Sequence, residues 1–314
     1  MSMAESNSTE ERPADLPVEE LVVVPRRQYG IWVGVALALL FAFLLFRALA
    51  TNPAFDWAVA WGYLFHPSIM RGLGNTLLLT VVIMACAIVV GTIVAIMRVS
   101  PSIVLQSFAS AYVWFFRGVP ALIQLIFWFN LSLLFRTVSL SLPFVGTVFS
   151  VKTNDFMTPF VSAVVALSLC EAGYLAEIIR AGIKSVPSGQ SEAASGLGMS
   201  YGQILRRIIL PQAMRFIVPP TGNEATSLLK MTSLVTFIAV DDLFYTAQSI
   251  YARTFETIPL LIVVAFWYLF VVTVMSIGQH FLERYYGRSD KFSESPVERI
   301  LRGIFSFRRA GVPS

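Results

Sequence analysis

The chain has 314 residues, of which 56% are hydrophobic and only 13% are charged, and its mean hydropathy is +0.71. A soluble domain would carry about 25% charged residues, so this composition excludes an ordinary soluble protein and indicates a polytopic membrane protein. The net charge of +4 is not concentrated on a basic face with interleaved aromatic residues, so no nucleic-acid partner is expected.

Several kinds of chemical site are also excluded by the residue pattern. The sequence contains no G-x-x-x-x-G-K-[ST] motif, so the chain has no phosphate-binding loop of its own. Cys86 and Cys170 lie in apolar runs without a C-x-x-C pattern, and His66 and His280 are isolated. We therefore expect no disulfide, no metal site, no catalytic residue and no cofactor bound by this chain.

The elements follow one another as apolar stretches between two polar tails. Residues 1–28 are polar and contain proline, which predicts a disordered cytoplasmic tail, too long and too acidic for a signal peptide. A second polar, arginine-rich tail occupies residues 287–314. The predicted fold is an all-α, polytopic membrane bundle of about six spans, at roughly 30–50, 72–98, 102–137, 158–182, 207–239 and 258–283.

The third stretch is too long for one straight span. Residues 102–137 would extend about 54 Å as a helix, against a hydrocarbon core of about 30 Å. The segment Arg117-Gly118-Val119-Pro120 interrupts it. Either one helix kinks at this point, or 102–116 lies along the membrane surface and the span starts near Arg117. The depth of Arg117 in the membrane is left open.

The distribution of lysine and arginine predicts the orientation of the chain. Six spans place both termini on one side, and the larger basic set, which includes both tails, falls on the side of the N-terminus. The positive-inside rule therefore favours cytoplasmic N- and C-termini in a bacterial inner membrane. The smaller, outer set is Arg47, Arg71, Arg136, Lys152 and Arg253.

A polar stripe lies inside the fifth stretch, in the sequence "PPTGNEATSLLK" at 219–230. On a helix, five polar side chains fall within an arc of about 160°, and Ala225, Leu228 and Leu229 face the other way. Pro219, Pro220 and Gly222 are expected to weaken the helix just before the stripe. The stripe should face protein or a water-filled cavity. Its members are Asn223, Glu224, Thr226, Ser227 and Lys230.

Glu171 is a second polar residue in an apolar setting, near the middle of the fourth stretch. A lone carboxylate there costs roughly 3 kcal/mol, so Glu171 is expected to face the same cavity, to be paired, or to be protonated. Lys230 is a candidate partner for it. Glu177 and Arg180 are spaced for a simple i,i+3 ion pair.

Between the fourth and fifth stretches, residues 185–213 predict two short helices on the inner face. Pro187 can begin the first helix, and Gly196 and Gly198 can end it. Ser200 and Gln203 form an S-x-x-Q capping box for the second. These residues favour equally a compact element that docks another protein and an ordinary cytoplasmic hairpin.

The outer segment at 240–257 predicts one further helix. Asp241 or Asp242 can cap its first turn, and apolar residues follow at helical spacing. Two interpretations are open for this helix. It either lies near a gate and touches a substrate-delivering protein, or it lies flat at the membrane interface.

The inner loop resembles a known motif. Glu192-Ala193-Ala194, Gly198 and the run 208–211 fit E-A-A-x3-G-x9-I-x-L-P, which is similar to the EAA loop of bacterial ATP-binding-cassette importer permeases. Other segments resemble the polar amino acid branch, whose substrates include histidine, glutamine, glutamate, arginine and opines. They are "GLGNTLLLT" at 72–80, "FRGVPALIQL" at 116–125, with Val119 where threonine is usual, "GYLAEIIRAGIKSVP" at 173–187 and "GNE" at 222–224.

The resemblance implies a function and an organisation. The chain would be the permease subunit, not an enzyme, of an ATP-driven importer of polar amino acids. It would consist of a five-helix core at 72–286 after an extra N-terminal helix at 29–51. Its implied partners are an ATP-binding-cassette ATPase dimer that binds ATP and Mg, an extracytoplasmic binding protein, a second permease copy or paralogue, and membrane lipid. The coupling loop at 185–211 would contact the ATPase through Glu192, Ala193, Ala194, Leu197 and Gly198.

The resemblance also implies a substrate site near mid-membrane. Glu224 and Asn223 of the "GNE" segment would contact the bound amino acid, and Glu171 and Ser227 are added because they are expected at the same cavity. Lys230 would be either a structural partner or a ligand of the α-carboxylate. The alternative function is an ion-coupled secondary amino acid transporter, which would need its own ion-coupling residues and usually internal repeats. No clear repeat is visible. The sequence does not identify the amino acid, nor does it distinguish a homodimer from a heterodimer.

Overall fold

The computed structural model describes residues 29–142 and 146–286 and divides the chain into two units, at 1–53 and 54–314. In the first unit, helix α1 (Tyr29–Thr51) is apolar on all sides. Its described side chains are exposed, with Trp32 at 74% and Phe46 at 70%. A helix with this composition is typical of a segment surrounded by lipid.

The second unit is built mainly from helices. The helices α3 (Pro67–Val99) and α13 (Thr257–Tyr286) have 33 and 30 residues. A π-helical turn at Leu205–Ile209 joins α10 (Tyr201–Ile204) to α11 (Leu210–Met231), and a 3-10 helix at Thr232–Ile238 follows α11. The remaining helices are α2 (Trp57–Leu64), α4 (Ile103–Gly118), α5 (Ala121–Phe129), α6 (Leu131–Leu134), α7 (Thr153–Phe156), α8 (Pro159–Lys184), α9 (Ser188–Gly196) and α12 (Leu243–Thr254).

One small β-element departs from the predicted all-α pattern. Strands β1 (Thr137–Leu142) and β2 (Gly146–Lys152) form an antiparallel hairpin in which Thr137 pairs with Lys152. The sequence "TVSLSL" alternates polar and apolar residues with the period of a strand, which explains why a hairpin forms here and not a helix. The hairpin ends before the central helix α8 and leaves the helical class of the fold unchanged.

Within residues 29–142 and 146–286, four helices are long and apolar enough to cross a membrane: α1, α3, α8 and α13. The predicted interruption of the third stretch is present, because α4 ends at Gly118 and meets α5 at an angle of 99°, so that the two form a broken span or a re-entrant loop. With nine residues, α5 extends only about 14 Å, so it cannot cross the membrane alone. The predicted fifth span corresponds to α11 and the following 3-10 helix, whose polar stripe makes it less apolar than the others.

Helix α8 lies at the centre of the unit and packs against α3, α4, α5 and α11. Small side chains allow these helices to approach closely. A Cβ atom added to Gly91 of α3 would lie 3.0 Å from the carbonyl oxygen of Ala172 on α8. Ala163, Ala166 and Ala176 of α8 are fully buried. This tight packing encloses the middle of α8, where Glu171 lies.

A buried glutamine stabilises the bend between α4 and α5. Pro120 has no N–H group, and the last carbonyl groups of α4 have no partner within their own helix. Gln124 is 4% exposed, and its amide Nε2 donates to the carbonyl oxygens of Phe116 at 3.0 Å and Val119 at 2.8 Å. The bend is therefore a defined elbow with satisfied backbone groups.

Helix α12 begins as the sequence predicts, because Asp242 accepts the N–H of Tyr245 at 2.7 Å. Burial raises the pKa of the Asp242 carboxyl to about 6. The segment before α12 is held on α3. Asn75 donates to the carbonyl oxygen of Asp241 at 2.7 Å, and the N–H of Leu243 donates to Thr76 at 3.0 Å. The helix is thus docked against the bundle.

Substitutions at the two glycines of the "GLGN" segment test whether α12 packs closely on α3. A Cβ atom at Gly72 would lie 2.9 Å from the carbonyl oxygen of Asp242, whereas a Cβ atom at Gly74 would meet nothing within 4 Å. We expect Gly72→Ala to destabilise the protein by about 1–3 kcal/mol through overpacking. Gly74→Ala should be neutral or stabilising by up to about 1 kcal/mol. Thermal unfolding of the two purified variants checks this difference, and equal midpoints would contradict it.

Candidate functional site

A cavity of about 470 Å³ opens between the α4–α5 elbow, α8 and α11. We call it the carboxylate cavity, because Glu171 and Glu224 both line it. Three of the four residues predicted to bind substrate contribute to its wall, namely Glu171, Glu224 and Ser227. The other lining residues are Arg117, Gly118, Val119, Pro120, Ala121, Cys170, Tyr174 and Met231.

Glu171 is the most buried charged group of the cavity. Its residue exposure is 2%, and its Oε1 atom has no hydrogen-bond partner within residues 29–142 and 146–286. A buried carboxylate without a partner is costly, so it is retained only where a donor can reach it. Of the three alternatives given for Glu171, the structure shows the residue in the cavity wall, without a salt bridge to a described residue.

Helix α11 carries Glu224 to the cavity without a break. Pro219 and Pro220 lie inside α11 and do not interrupt it, so the expected weakening before the polar stripe is not seen as a gap in the helix. Gln279 of α13 donates its side-chain amide to the carbonyl oxygen of Pro219 at 2.7 Å. Gly222 leaves space for this contact, since a Cβ atom there would lie 1.6 Å from Oε1 of Gln279.

The polar stripe of α11 is only partly directed into the cavity. Glu224 is half-buried and Ser227 is exposed, and both line the cavity. Asn223 and Lys230 are exposed and are not among the lining residues. Lys230 forms no salt bridge with Glu171, because both salt bridges in the described part of the chain involve Glu177. The helical projection therefore identified the polar face of α11. It also assigned to the cavity two residues, Asn223 and Lys230, that do not line it.

The ion pair between Glu177 and Arg180 is present as predicted. Arg98, from the end of α3, donates to the other oxygen of the same carboxylate. This third member was missed, because only the packing of α3 on α8 brings it there. The three side chains form a small charged cluster one to two turns after Tyr174 along α8.

Arg117 was also missed as a candidate. It lies in the last turn of α4, and its guanidinium carbon is 5.0 Å from the centre of the Tyr174 ring, a cation–π contact. The α4–α5 elbow directs Arg117 into the cavity wall. Its place in the "FRGVP" segment was a signal, but the sequence did not show which wall the segment would form.

The predicted pair of short helices is present at residues 188–204, which we call the knob. Pro187 precedes α9, and Leu197 caps its end. Gly198 has a φ angle of +78°, in the left-handed region that favours glycine. The N–H of Ser200 donates to the side chain of Gln203 at 2.9 Å, and the predicted capping box is formed.

The residues predicted to contact the ATPase differ in their exposure to solvent. Glu192, Ala193, Leu197 and Gly198 are exposed, whereas Ala194 is only 4% exposed and packs inside the knob. Leu197 is 84% exposed at the turn after α9, an unusual position for a large apolar side chain in a polar loop. The knob therefore exposes both a large apolar side chain and a carboxylate.

A bundle of apolar helices around a cavity that is lined by two carboxylates, together with an exposed knob, is typical of a membrane transport protein. Residues 87–287 match the family described as binding-protein-dependent transport system inner membrane component, and the chain belongs to this family. It is therefore the membrane component of a transport system that depends on a binding protein.

Individual relatives narrow the class. The chain is 41% identical to the arginine transport system permease protein ArgU of Corynebacterium glutamicum, over 83% of this chain and 82% of the relative. It is 36% identical to the glutamate/aspartate import permease protein GltK of Escherichia coli O157:H7, over 73% of this chain and 97% of the relative.

Solved structures agree with these relatives. A crystal structure of an amino acid ABC transporter with histidines matches with a TM-score of 0.62 and 31% identity, over 73% of this chain and 98% of that chain. The MetNI methionine ABC transporter in an inward-facing conformation matches at 18% identity with a TM-score of 0.54, over 69% and 95% of the two chains, which shows the fold.

Together these findings give the function. The chain is a multi-pass permease subunit of an ATP-driven amino acid importer of the inner membrane, and it is not an enzyme. The alternative of an ion-coupled secondary transporter is set aside, because the matched family belongs to a binding-protein-dependent system.

Proposed function

We propose that the carboxylate cavity is the substrate site of this permease and that its substrate is a basic amino acid. The observation that carries the proposal is the presence of two carboxylates, Glu171 and Glu224, in one cavity. The relative ArgU is an arginine transport permease, which supports the same substrate class.

Charge complementarity explains why a basic amino acid fits best. Every α-amino acid brings one ammonium group, which can satisfy one carboxylate by charge-assisted hydrogen bonds. A neutral or acidic amino acid brings no second cation for the pair, and Arg117 in the cavity wall forms no salt bridge with either carboxylate. A guanidinium or ammonium side chain supplies that cation, and the penalty of a buried, unpartnered Glu171 is removed.

Coupling to ATP would occur at the knob. In this proposal, the exposed residues Glu192, Ala193, Leu197 and Gly198 dock on a separate ATPase dimer, which holds ATP and Mg. The knob continues through the π-helical turn into α11, so residues 201–231 form one helical path from the docking surface to Glu224. Movement of the ATPase subunits could then bias the cavity between inward- and outward-open states.

The side of the membrane on which the knob lies determines the orientation of the whole permease in this proposal. If it faces the cytoplasm, both termini are cytoplasmic and the binding protein delivers substrate to the opposite side. The second permease, a copy or a paralogue, would complete the translocation path. The described side chains of α4 and α13 expose many large apolar groups, such as Trp114 at 78% and Leu269 at 68%, which suit contact with lipid or with a second permease.

The proposal is tested by substrate-stimulated ATP hydrolysis in the reconstituted complex of permease, ATPase and binding protein. Arginine and citrulline have nearly the same shape, but only arginine has a cationic side chain. We expect arginine to stimulate hydrolysis and citrulline to do so at least tenfold less effectively. Because a binding protein also discriminates, equilibrium binding of the two compounds to the complex without binding protein is the control. Equal binding there would overturn the basic-substrate assignment.

A further inference from the structure

A second cavity, of about 440 Å³, lies between the start of α3 and α12. We call it the basic cavity, because Arg71 and Arg253 both line it. The knob is at the other end of α3, since the hydroxyl of Tyr201 donates to the carbonyl oxygen of Val99 at 3.2 Å. The 33 residues of α3 extend about 50 Å. The basic cavity and the knob therefore lie at opposite ends of a membrane-spanning helix.

The two arginines of the basic cavity are not neutralised by the protein around them. Arg71 belongs to the second turn of α3, and Arg253 belongs to the last turn of α12. Both are exposed, and neither forms a salt bridge with a residue of 29–142 or 146–286. Asp241 is the one acidic residue among the described residues that line the cavity. Two guanidinium groups therefore face one space that holds little negative charge.

The helix dipole explains Arg253 but does not explain Arg71. A cation is stabilised in the last turn of a helix and gains nothing from the dipole near the first turn. Arg71 lies close to the start of α3, which begins at Pro67. Helical side chains lean toward the N-terminus, so the guanidinium of Arg71 extends toward the positive end of its own helix. An anion bound there would be stabilised by the guanidinium and by the dipole together.

A histidine adds a further hydrogen-bond donor to the same space. Nδ1 of His66 accepts the N–H of Ser68 at 3.3 Å and caps the start of α3. Since a neutral imidazole has one acceptor nitrogen and one donor nitrogen, Nε2 of His66 carries the proton. His66 and Ser68 both line the basic cavity. The cavity thus collects N–H and O–H donors, which suit an anion with several acceptor oxygens.

The two walls of the basic cavity are held in place before any ligand arrives. Asn75 of α3 donates to the carbonyl oxygen of Asp241 at 2.7 Å, just before α12. A Cβ atom at Gly72 of α3 would lie 2.8 Å from the hydroxyl oxygen of Thr246 on α12, so the two helices are in close contact. All four residues line the cavity. The two arginines, although far apart in the sequence, therefore need little rearrangement to bind one anion.

The position along α3 places the basic cavity at the level of the lipid headgroups. Exposed large apolar side chains on α3 extend from Leu77 to Ile96, a distance of about 29 Å, close to the hydrocarbon thickness of about 30 Å. Arg71 lies about 9 Å before Leu77 along the helix axis, so its long side chain is within reach of the headgroup layer. The neighbouring helix α2 exposes Trp57 and Trp61, the latter at 75%, as is typical of the membrane interface.

We propose that the basic cavity binds the phosphate group of an anionic phospholipid, with Arg71 and Arg253 as its ligands. A phosphodiester brings one negative charge and several acceptor oxygens, which guanidinium groups can satisfy by charge-assisted hydrogen bonds. A zwitterionic headgroup also brings a cation, which the two arginines repel, so the site favours headgroups with a net negative charge. The depth of the cavity, beside exposed tryptophans, favours a lipid over an acidic side chain of a docked binding protein. This site is separate from the carboxylate cavity and does not depend on the substrate proposed for it.

The test measures lipid binding to the complex of permease and ATPase, purified without binding protein, by native mass spectrometry. Phosphatidylglycerol and phosphatidylcholine with identical acyl chains are added in separate titrations. We expect the native complex to bind phosphatidylglycerol on the order of 10- to 100-fold more tightly than phosphatidylcholine. The double variant Arg71→Gln/Arg253→Gln should bind the two lipids equally, because both cationic groups are removed. Arg136→Gln removes an exposed arginine that does not line the cavity, and it should keep the native preference.

Thermal unfolding shows whether the lipid effect requires the basic cavity. Phosphatidylglycerol should raise the unfolding midpoint of the native complex but not that of the double variant, because a ligand that binds only the folded state stabilises it. The midpoints of the two proteins in phosphatidylcholine show whether the double variant is folded. A second variant, Arg71→Lys/Arg253→Lys, keeps both charges and loses the planar forks, so it should retain part of the preference.

Three results would overturn the proposal. If the double glutamine variant keeps the preference for phosphatidylglycerol, the lipid binds elsewhere on the complex. If inorganic phosphate competes with phosphatidylglycerol at equal concentration, the cavity is a site for soluble anions and the lipid assignment is wrong. If the lipid preference is unchanged and the affinity for the binding protein falls instead, the cavity receives an acidic side chain of that protein.

Discussion

Glu224→Gln is expected to weaken arginine binding to the assembled importer by on the order of 30- to 150-fold. Glutamine keeps the shape of the side chain but removes the charge, so a charge-assisted hydrogen bond worth about 2–3 kcal/mol is lost. The variant should still insert in the membrane, because Glu224 is half-buried and makes no salt bridge with a described residue. Equilibrium binding to the complex of permease and ATPase measures the effect.

Glu171→Gln is the companion variant, and it should also reduce arginine affinity. Since Glu171 is buried, its amide replacement should be accommodated more easily than the native carboxylate in the empty protein, and the loss should appear only with ligand. Glu256→Gln serves as a control, because it removes a carboxylate after α12 that does not line the cavity. Unchanged affinity in both cavity variants would remove the binding-site assignment.

Gly198→Val is expected to abolish ATP-driven uptake while membrane insertion stays intact. The φ angle of Gly198 is +78°, which costs a residue with a side chain about 1–2 kcal/mol, and more for a β-branched one. A Cβ atom at this position would meet nothing within 4 Å in the permease itself. The defect should therefore come from a changed path of the turn that carries Leu197, and from the side chain's collision with a docked ATPase.

Two variants distinguish the effect of backbone strain at position 198 from the effect of a larger side chain on the docking surface. Gly198→Asn should retain part of the uptake, because asparagine tolerates the left-handed region better than valine does. Gly196→Ala adds a methyl group on the same surface, where nothing lies within 4 Å and φ is not positive, and should retain most of the activity. Uptake into proteoliposomes and co-purification of the ATPase are the measurements. Normal uptake by Gly198→Val would contradict the coupling role.

The sequence predicted the features that depend on local chemistry. The capping box of Ser200 and Gln203, the N-cap at Asp242 and the ion pair of Glu177 with Arg180 each involve residues three positions apart, and each is present. The polarity of α11 could also be read from one segment, because a polar stripe in an apolar helix has few physical explanations.

The features that depend on packing between distant segments were not predicted. The 99° elbow needs the Gln124 amide as well as Pro120, and the position of Arg117 depends on Tyr174, 57 residues further along the chain. Arg98 joins Glu177 only because α3 packs on α8. Helical projection alone placed Asn223 and Lys230 on the same face as Glu224. In the packed structure, the members of this stripe that line the cavity are Glu224 and Ser227.

The most direct test of the central claim is a structure of the assembled importer with bound arginine. The account predicts ligand density inside the carboxylate cavity, with cationic groups at hydrogen-bonding distance from Glu171 and Glu224 and with the ATPase seated on the knob. Arginine bound elsewhere, with Glu224 directed toward lipid or the knob directed away from the ATPase, would contradict it.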